Sequence, residues 1–167
     1  MKKEKKMNKM MMAVAGLAMA VVMTGCGGSP KSVAEKFALA IIQKDPAKAL
    51  EFYDPVKRDG ATKLRTSEQI KTLKEELETM GKDTINDDKY ECEAILEVIT
   101  VPREDSSYTL INGKKYTGET ATVTVQFVKG KDKKSSGLRV NLEKVDGSWL
   151  VTGQKYISDG LDTTEKK

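Results

Sequence analysis

Residues 30–157 predict an α+β fold in which N-terminal helices pack on a curved antiparallel β-sheet. Apolar residues recur at helical spacing as far as about residue 85 and alternate one by one beyond it, so the period itself divides the chain. Proline-containing cap signals cluster in the first half and two-residue turn signals in the second. Helices first and strands after is the order that α+β layers require.

Ser29-Pro30 supplies an N-cap and a proline suited to the first helical turn, and Val33, Phe37, Ala40 and Ile41 then repeat as one apolar stripe to Lys44. Asp45-Pro46 repeats the device and opens a shorter helix through Ala49, Leu50 and Phe52, which Asp54-Pro55 ends. Thr66 and Gln69 have the spacing of a capping box; Ile70, Leu73, Leu77 and Met80 supply the third stripe, and Gly81 is expected to stop it.

Alternation then takes over. In a strand from about Tyr90 to Val101, Tyr90, Cys92, Ala94, Leu96 and Val98 are expected to face inward and Glu91, Glu93 and Glu97 outward. Asn112-Gly113 is a turn signal between Tyr108–Ile111 and the long run Tyr116–Val128. In that run Ala121, Val123, Val125 and Phe127 share one face, and Thr120, Thr122, Thr124 and Gln126 the other. Lys129–Ser136 reads as a charged loop, Gly137–Lys144 alternates Leu138, Val140 and Leu142 with polar residues, and Asp146-Gly147 turns into Trp149–Tyr156. Residues 158–167 are polar and expected to be disordered.

Ahead of the domain, Lys2, Lys3, Lys5, Lys6 and Lys9 precede an apolar run from Met10 to Thr24 and a small-residue end, the three parts of a secretory signal. The run has 15 residues, short of the roughly 20 that span a bilayer, so cleavage is expected. Met23-Thr24-Gly25-Cys26 resembles the lipobox of bacterial lipoproteins, with Met23 where Leu is commoner. The resemblance implies a signal peptide over residues 1–25, lipidation of Cys26 and a short tether over 26–29. Two acyl chains make a durable anchor, and the short tether would hold the domain near the membrane on its extracytoplasmic side.

Loss of the leader removes five lysines and one glutamate from a chain with 29 basic and 25 acidic residues, leaving 24 of each and no net charge. Such a domain offers no basic footprint for nucleic acid. With Cys26 alkylated, Cys92 has no disulfide partner, and the chain has no histidine to activate a thiol. Cys92 is therefore expected to act as a small buried hydrophobe.

The Ser29-Pro30 helix, the Lys44-Asp45-Pro46-Ala47-Lys48-Ala49-Leu50 link, the strand ending Thr124-Val125-Gln126-Phe127 and the closing Val145-Asp146-Gly147-Ser148-Trp149-Leu150-Val151 hairpin resemble the nuclear transport factor 2-like superfamily. More narrowly they resemble its bacterial lipoprotein subgroup, whose usual link reads Gly-Asp where this chain has Lys44-Asp45. The resemblance implies a cone, a bent sheet wrapped around the first helix, with a pocket at its open end. It does not transfer a function, because the superfamily holds isomerases, dehydratases, carriers and assembly domains.

Two function classes follow. In the first, a non-catalytic module holds a small apolar ligand or a membrane-proximal protein partner, with Tyr90, Val123, Val125, Phe127, Leu138, Val140, Trp149 and Tyr156 as candidate pocket-lining residues and Tyr156 or Tyr53 as polar tips. Taken alone, each of these side chains suits core packing better than a site, since apolar residues on a strand's inner face fill cores more often than they line pockets. In the second, a pocket carboxylate and a tyrosine run isomerase or dehydratase chemistry, which needs an acid held in apolar surroundings. The acids fall mostly on expected outer faces (Glu91, Glu93, Glu97, Glu143), at a cap (Asp45) or in turns (Asp54, Asp146), so a non-enzyme without a cofactor is expected. Asp83, Asp87 and Asp88 lack the pattern of a calcium loop, and no metal site is expected. Lys129, Lys131, Lys133 and Lys134 form a basic tip suited to anionic lipid or to solvent.

Overall fold

Ser29 caps the first helix as its sequence requires: its hydroxyl oxygen accepts from the Ser32 N–H at 3.3 Å. A computed structural model describes residues 28–59, 61–84, 89–101, 108–109, 115–158 and 161. The leader, Cys26, the Asn112-Gly113 turn, Asp87, Asp88 and the rest of the tail lie outside the described residues. The tail's Leu161 donates its N–H to the Ser135 carbonyl at 3.4 Å.

Helix α1 (Pro30–Ile42) buries Val33, Phe37, Ala38 and Ile41. It ends in a Schellman turn, with the Lys44 N–H on the Ile41 carbonyl, the Asp45 N–H on the Ala40 carbonyl, and Lys44 in the left-handed region at φ 58°. Asp45 then caps α2 (Pro46–Glu51) by accepting from the Lys48 N–H at 3.0 Å. The segment after α2 pairs with the sheet edge: the Val151 N–H reaches the Phe52 carbonyl and the Asp54 N–H the Val151 carbonyl.

A hairpin of β1 (Val56–Asp59) and β2 (Ala61–Leu64) follows, which the sequence reading did not foresee. Helix α3 (Ser67–Thr84) starts from a reciprocal capping box, Thr66 N–H to Gln69 Oε1 at 2.9 Å and Gln69 N–H to Thr66 Oγ1 at 3.2 Å. Gly81 does not stop it. A Cβ there would meet the Ile41 carbonyl oxygen at 2.6 Å, so glycine at this position lets α3 close on the end of α1 while the helix runs on to Thr84.

The sheet contains β3 (Glu91–Thr100), β4 (Tyr108–Thr109), β5 (Lys115–Lys129), β6 (Asp132–Val145) and β7 (Ser148–Ile157), all antiparallel to their neighbours in the order β3-β5-β6-β7 with β4 also paired to β5. The stretch expected as a charged loop is mostly strand, because β5 turns tightly through Gly130 (φ 60°) and Lys131 and pairing resumes at Asp132. Between this sheet and α1 lies the core: Phe37 and Ile41 from the helix, Val123, Val125, Phe127, Leu138, Val140 and Val151 from the strands. The opposite face of β5 is less open than alternation implies, with Thr124 and Gln126 buried and the Gln126 amide donating to the Lys134 carbonyl at 2.7 Å.

Two β-bulges reset which residues face the core. In β3 the register passes from Ala94 opposite Val125 to Leu96 opposite Thr124, so Ile95 is an extra residue. Beyond it the parity is reversed: Glu97 lies opposite buried Val123 on the helix side, and Leu96 and Val98 turn outward, contrary to the expected alternation. In β7 Thr152 is the extra residue, between Val151 opposite Leu142 and Gly153 opposite Asn141.

Candidate functional site

Helix α3 packs on α1 and α2 through Leu73 and Leu77, which are buried. The neighbouring strip of the same helix, Thr72, Glu75, Glu76, Thr79 and Met80, has i, i+3, i+4, i+7, i+8 spacing and overhangs the last strand. Together with Tyr156 of β7 it borders an open groove of about 500 Å³. A second hollow of about 460 Å³, at the start of α3, is lined by Arg65, Thr66, Glu68, Gln69, Thr72, Leu73 and Glu76. The two share Thr72 and Glu76, which makes them neighbouring compartments along one helix.

The bulge at Thr152 is what supplies the strand side of this groove. Val151 and Gln154 differ in parity, yet both face the helices because of the extra residue, as Leu142 and Val140 opposite them show. The same shift brings Tyr156, opposite Leu138, onto the face that carries Trp149. Gln154 accepts a hydrogen bond from the Tyr53 hydroxyl at Oε1. The Tyr53 ring stands edge-on to Phe37 at 5.8 Å, with the Arg65 guanidinium 5.5 Å from its centroid. Arg65 is held by its own Nε–H on the Asp54 carbonyl at 3.0 Å. Burial pushes the Tyr53 hydroxyl up to about 12; Arg65 opposes that rise and Glu76 adds to it. At neutral pH Tyr53 is therefore a neutral donor whose proton is committed to Gln154.

Of the eight residues put forward as lining, Tyr156 borders the 500 Å³ groove. Val123, Val125, Phe127, Leu138 and Val140 have no exposed surface at all and fill the space between sheet and α1. Trp149 is buried with Lys144 Nζ 5.8 Å from its ring. Tyr90 is buried at the lysine hairpin, its ring flanked by Lys129 and Lys134 at 5.5 and 5.4 Å and its hydroxyl 3.3 Å from Asp132 Oδ2.

Thr72, Glu76, Arg65 and Gln154 were not singled out from the sequence, and Met80 was read only as part of the apolar stripe of α3. The strip on α3 has a legible signal, a polar row next to the apolar stripe, but only the position of β7 beneath it turns that row into a wall. The Gln154 signal is hidden by the bulge.

Among the acids, Glu75 and Glu76 line the groove and are exposed. Glu97, turned inward by its bulge, meets Lys31 at 4.0 Å through Oε2 while its Oε1 is sealed from solvent. Glu35 Oε1 accepts the Ala94 N–H beside the β3 bulge at 2.9 Å. Burial, and secondarily Glu35, pushes the Cys92 thiol up to about 12, which suppresses the thiolate a nucleophile needs. No group of three or more His, Cys, Asp or Glu side chains among the described residues could hold a metal ion. No described helix is long and apolar enough to cross a membrane.

No protein-family model matches the chain, and the search of curated proteins gives no match either. Among solved structures, the chain is similar to a designed nuclear transport factor 2-like protein at 16% identity and TM-score 0.31, over 75% of this chain and 94% of that one. It is also similar to a calcium/calmodulin-dependent protein kinase II association domain from Xanthomonas campestris at 17% identity and TM-score 0.37, over 77% of this chain and 86% of that one. Likenesses at these scores bear on neither ligand nor activity.

Proposed function

We propose that this chain is a lipid-anchored, extracytoplasmic binding module of the nuclear transport factor 2-like kind, which holds a small amphipathic ligand in the groove between α3 and β7 without transforming it. The observation that carries the reading is the composition of the 500 Å³ groove: Met80 and the Tyr156 ring give an apolar body, and Thr72, Glu75, Glu76 and Thr79 give a polar rim. An apolar molecule bearing an amine or hydroxyl would bury its body against Met80 and Tyr156 and donate to the rim.

The alternative of isomerase chemistry needs a carboxylate desolvated by apolar neighbours. Glu75 and Glu76 are exposed in the groove, with no apolar shell to desolvate them, and the Tyr53 proton is already spent on Gln154. Both features favour binding over catalysis.

The test is to purify the membrane-extracted mature chain and identify co-purifying small molecules by mass spectrometry. Wild type should retain an amphipathic compound that the Met80→Asp variant loses at unchanged circular dichroism. Recovery of the same compounds from both, or of none from either, would remove the groove from consideration.

A further inference from the structure

The far end of β3 presents apolar side chains to water on both sides. Val98 is 44% exposed, Ile99 48% and Val101 70%, whereas Val123, Val125 and Phe127 of β5 and Leu138, Val140 and Leu142 of β6 are buried. The bulge at Ile95 places Val98 opposite Thr122 on the outer face and Ile99 opposite Ala121 on the helix face, so this strand end carries an exposed apolar side chain on each face. Exposed apolar groups gathered at one end of a strand mark a contact surface.

The first turn of α1 lies beside the same strand end. Lys31 Nζ is 4.0 Å from Glu97 Oε2, and Glu35, one turn later, reaches Ala94, so α1 begins near the Val101 end and runs toward the Glu91 end. From Glu97 to Val101 the strand covers about 13 Å. From Lys31 back to Cys26, five residues reach at most about 18 Å. Cys26 is therefore within reach of the plane that holds Val101. Lys131, at the β5–β6 turn, lies about 26 Å the other way, eight residues beyond Val123, the partner of Glu97.

We propose that the apolar end of β3, with Val98, Ile99 and Val101, rests in the interfacial layer of the bilayer, so that the domain stands with this end down and its lysine hairpin pointing away. This rests on the reading of Cys26 as the lipidated residue. Half-exposed Lys31 stands at the same end, where its ammonium would meet lipid phosphates. At the hairpin Lys133 pairs with Glu93 at 3.4 Å, Lys134 with Asp132 at 3.8 Å, and Lys129 and Lys134 flank Tyr90.

The experiment places an environment-sensitive fluorophore on the lipidated chain through Val101→Cys or, separately, Lys131→Cys, with the half-buried, weakly acidic Cys92 thiol as the background, measured on the unsubstituted chain. Each labelled protein is reconstituted in phosphatidylcholine–phosphatidylglycerol vesicles with and without nitroxide-bearing acyl chains. The label at position 101 should shift to the blue on reconstitution and lose intensity to the nitroxide; the label at 131 should do neither. A chain that pellets with vesicles but leaves position 101 unquenched, or quenches position 131 instead, overturns the orientation while the anchor stands. A chain left in the supernatant overturns the anchor and the orientation with it. A label at 101 already blue-shifted in detergent-free buffer would mean that a second copy covers the strand end, and would equally overturn the proposal.

Discussion

Tyr53 and Cys92 are the two side chains whose chemistry the fold alters most. Both are held above their ordinary values by burial, from 10.0 and 9.0 to about 12. Between pH 9 and pH 12 the folded chain keeps protons that the unfolded chain releases, so stability that is fully present below pH 9 falls as the pH rises toward 12. A Tyr53→Phe, Cys92→Ala variant should be less stable at pH 7, by about 1 kcal/mol for the lost Tyr53–Gln154 hydrogen bond. It should also decline less steeply between pH 9 and 12, and urea midpoints recorded against pH would show two converging curves. Parallel curves would mean that neither group titrates as assigned. The inward direction of Cys92 was legible in its alternation with Glu91 and Glu93, although the thiol is only partly buried. The Tyr53–Gln154 bond was not, because its partners are 101 residues apart and one of them faces inward only after a bulge.

At the scale of elements, caps were the best-read feature. Ser29, Asp45 and the Thr66–Gln69 box all make the hydrogen bonds their spacing promised. They are local, so the residues that satisfy them are the residues next to them in sequence. The end of α1 shows the converse: Lys44 sits in the left-handed conformation that its Schellman turn demands, where a side chain is strained and glycine is not. Exposed and free of packing, Lys44→Gly should stabilise the domain by about 1 kcal/mol, read as a higher urea midpoint with an unchanged slope. A loss of stability would show that the lysine side chain contributes more than the turn costs. Gly81 misled in the other direction. It carries the usual mark of a helix stop, and only the nearness of the Ile41 carbonyl reveals that it is there for contact between helices.

For the whole molecule, the lipobox-like end of the leader makes a prediction independent of the fold: Cys26→Ser should move the chain from the membrane fraction to the soluble fraction, with a domain of unchanged circular dichroism. Persistence in the membrane fraction would identify an uncleaved leader as the anchor. Apart from the β1–β2 hairpin between α2 and α3, layer order and fold class were determined by the sequence alone, since hydrophobic period and caps are short-range properties. So were the neutrality of residues 26–167 and the lack of a disulfide partner for Cys92 once Cys26 is taken as lipidated. Tertiary structure decided the faces and the groove. One extra residue at Ile95 turned Glu97 inward and exposed Val98; one at Thr152 brought Gln154 and Tyr156 to the helix side. A bulge reverses every side chain beyond it, yet its presence depends on pairing with a distant strand, so alternation read along a single strand cannot locate it.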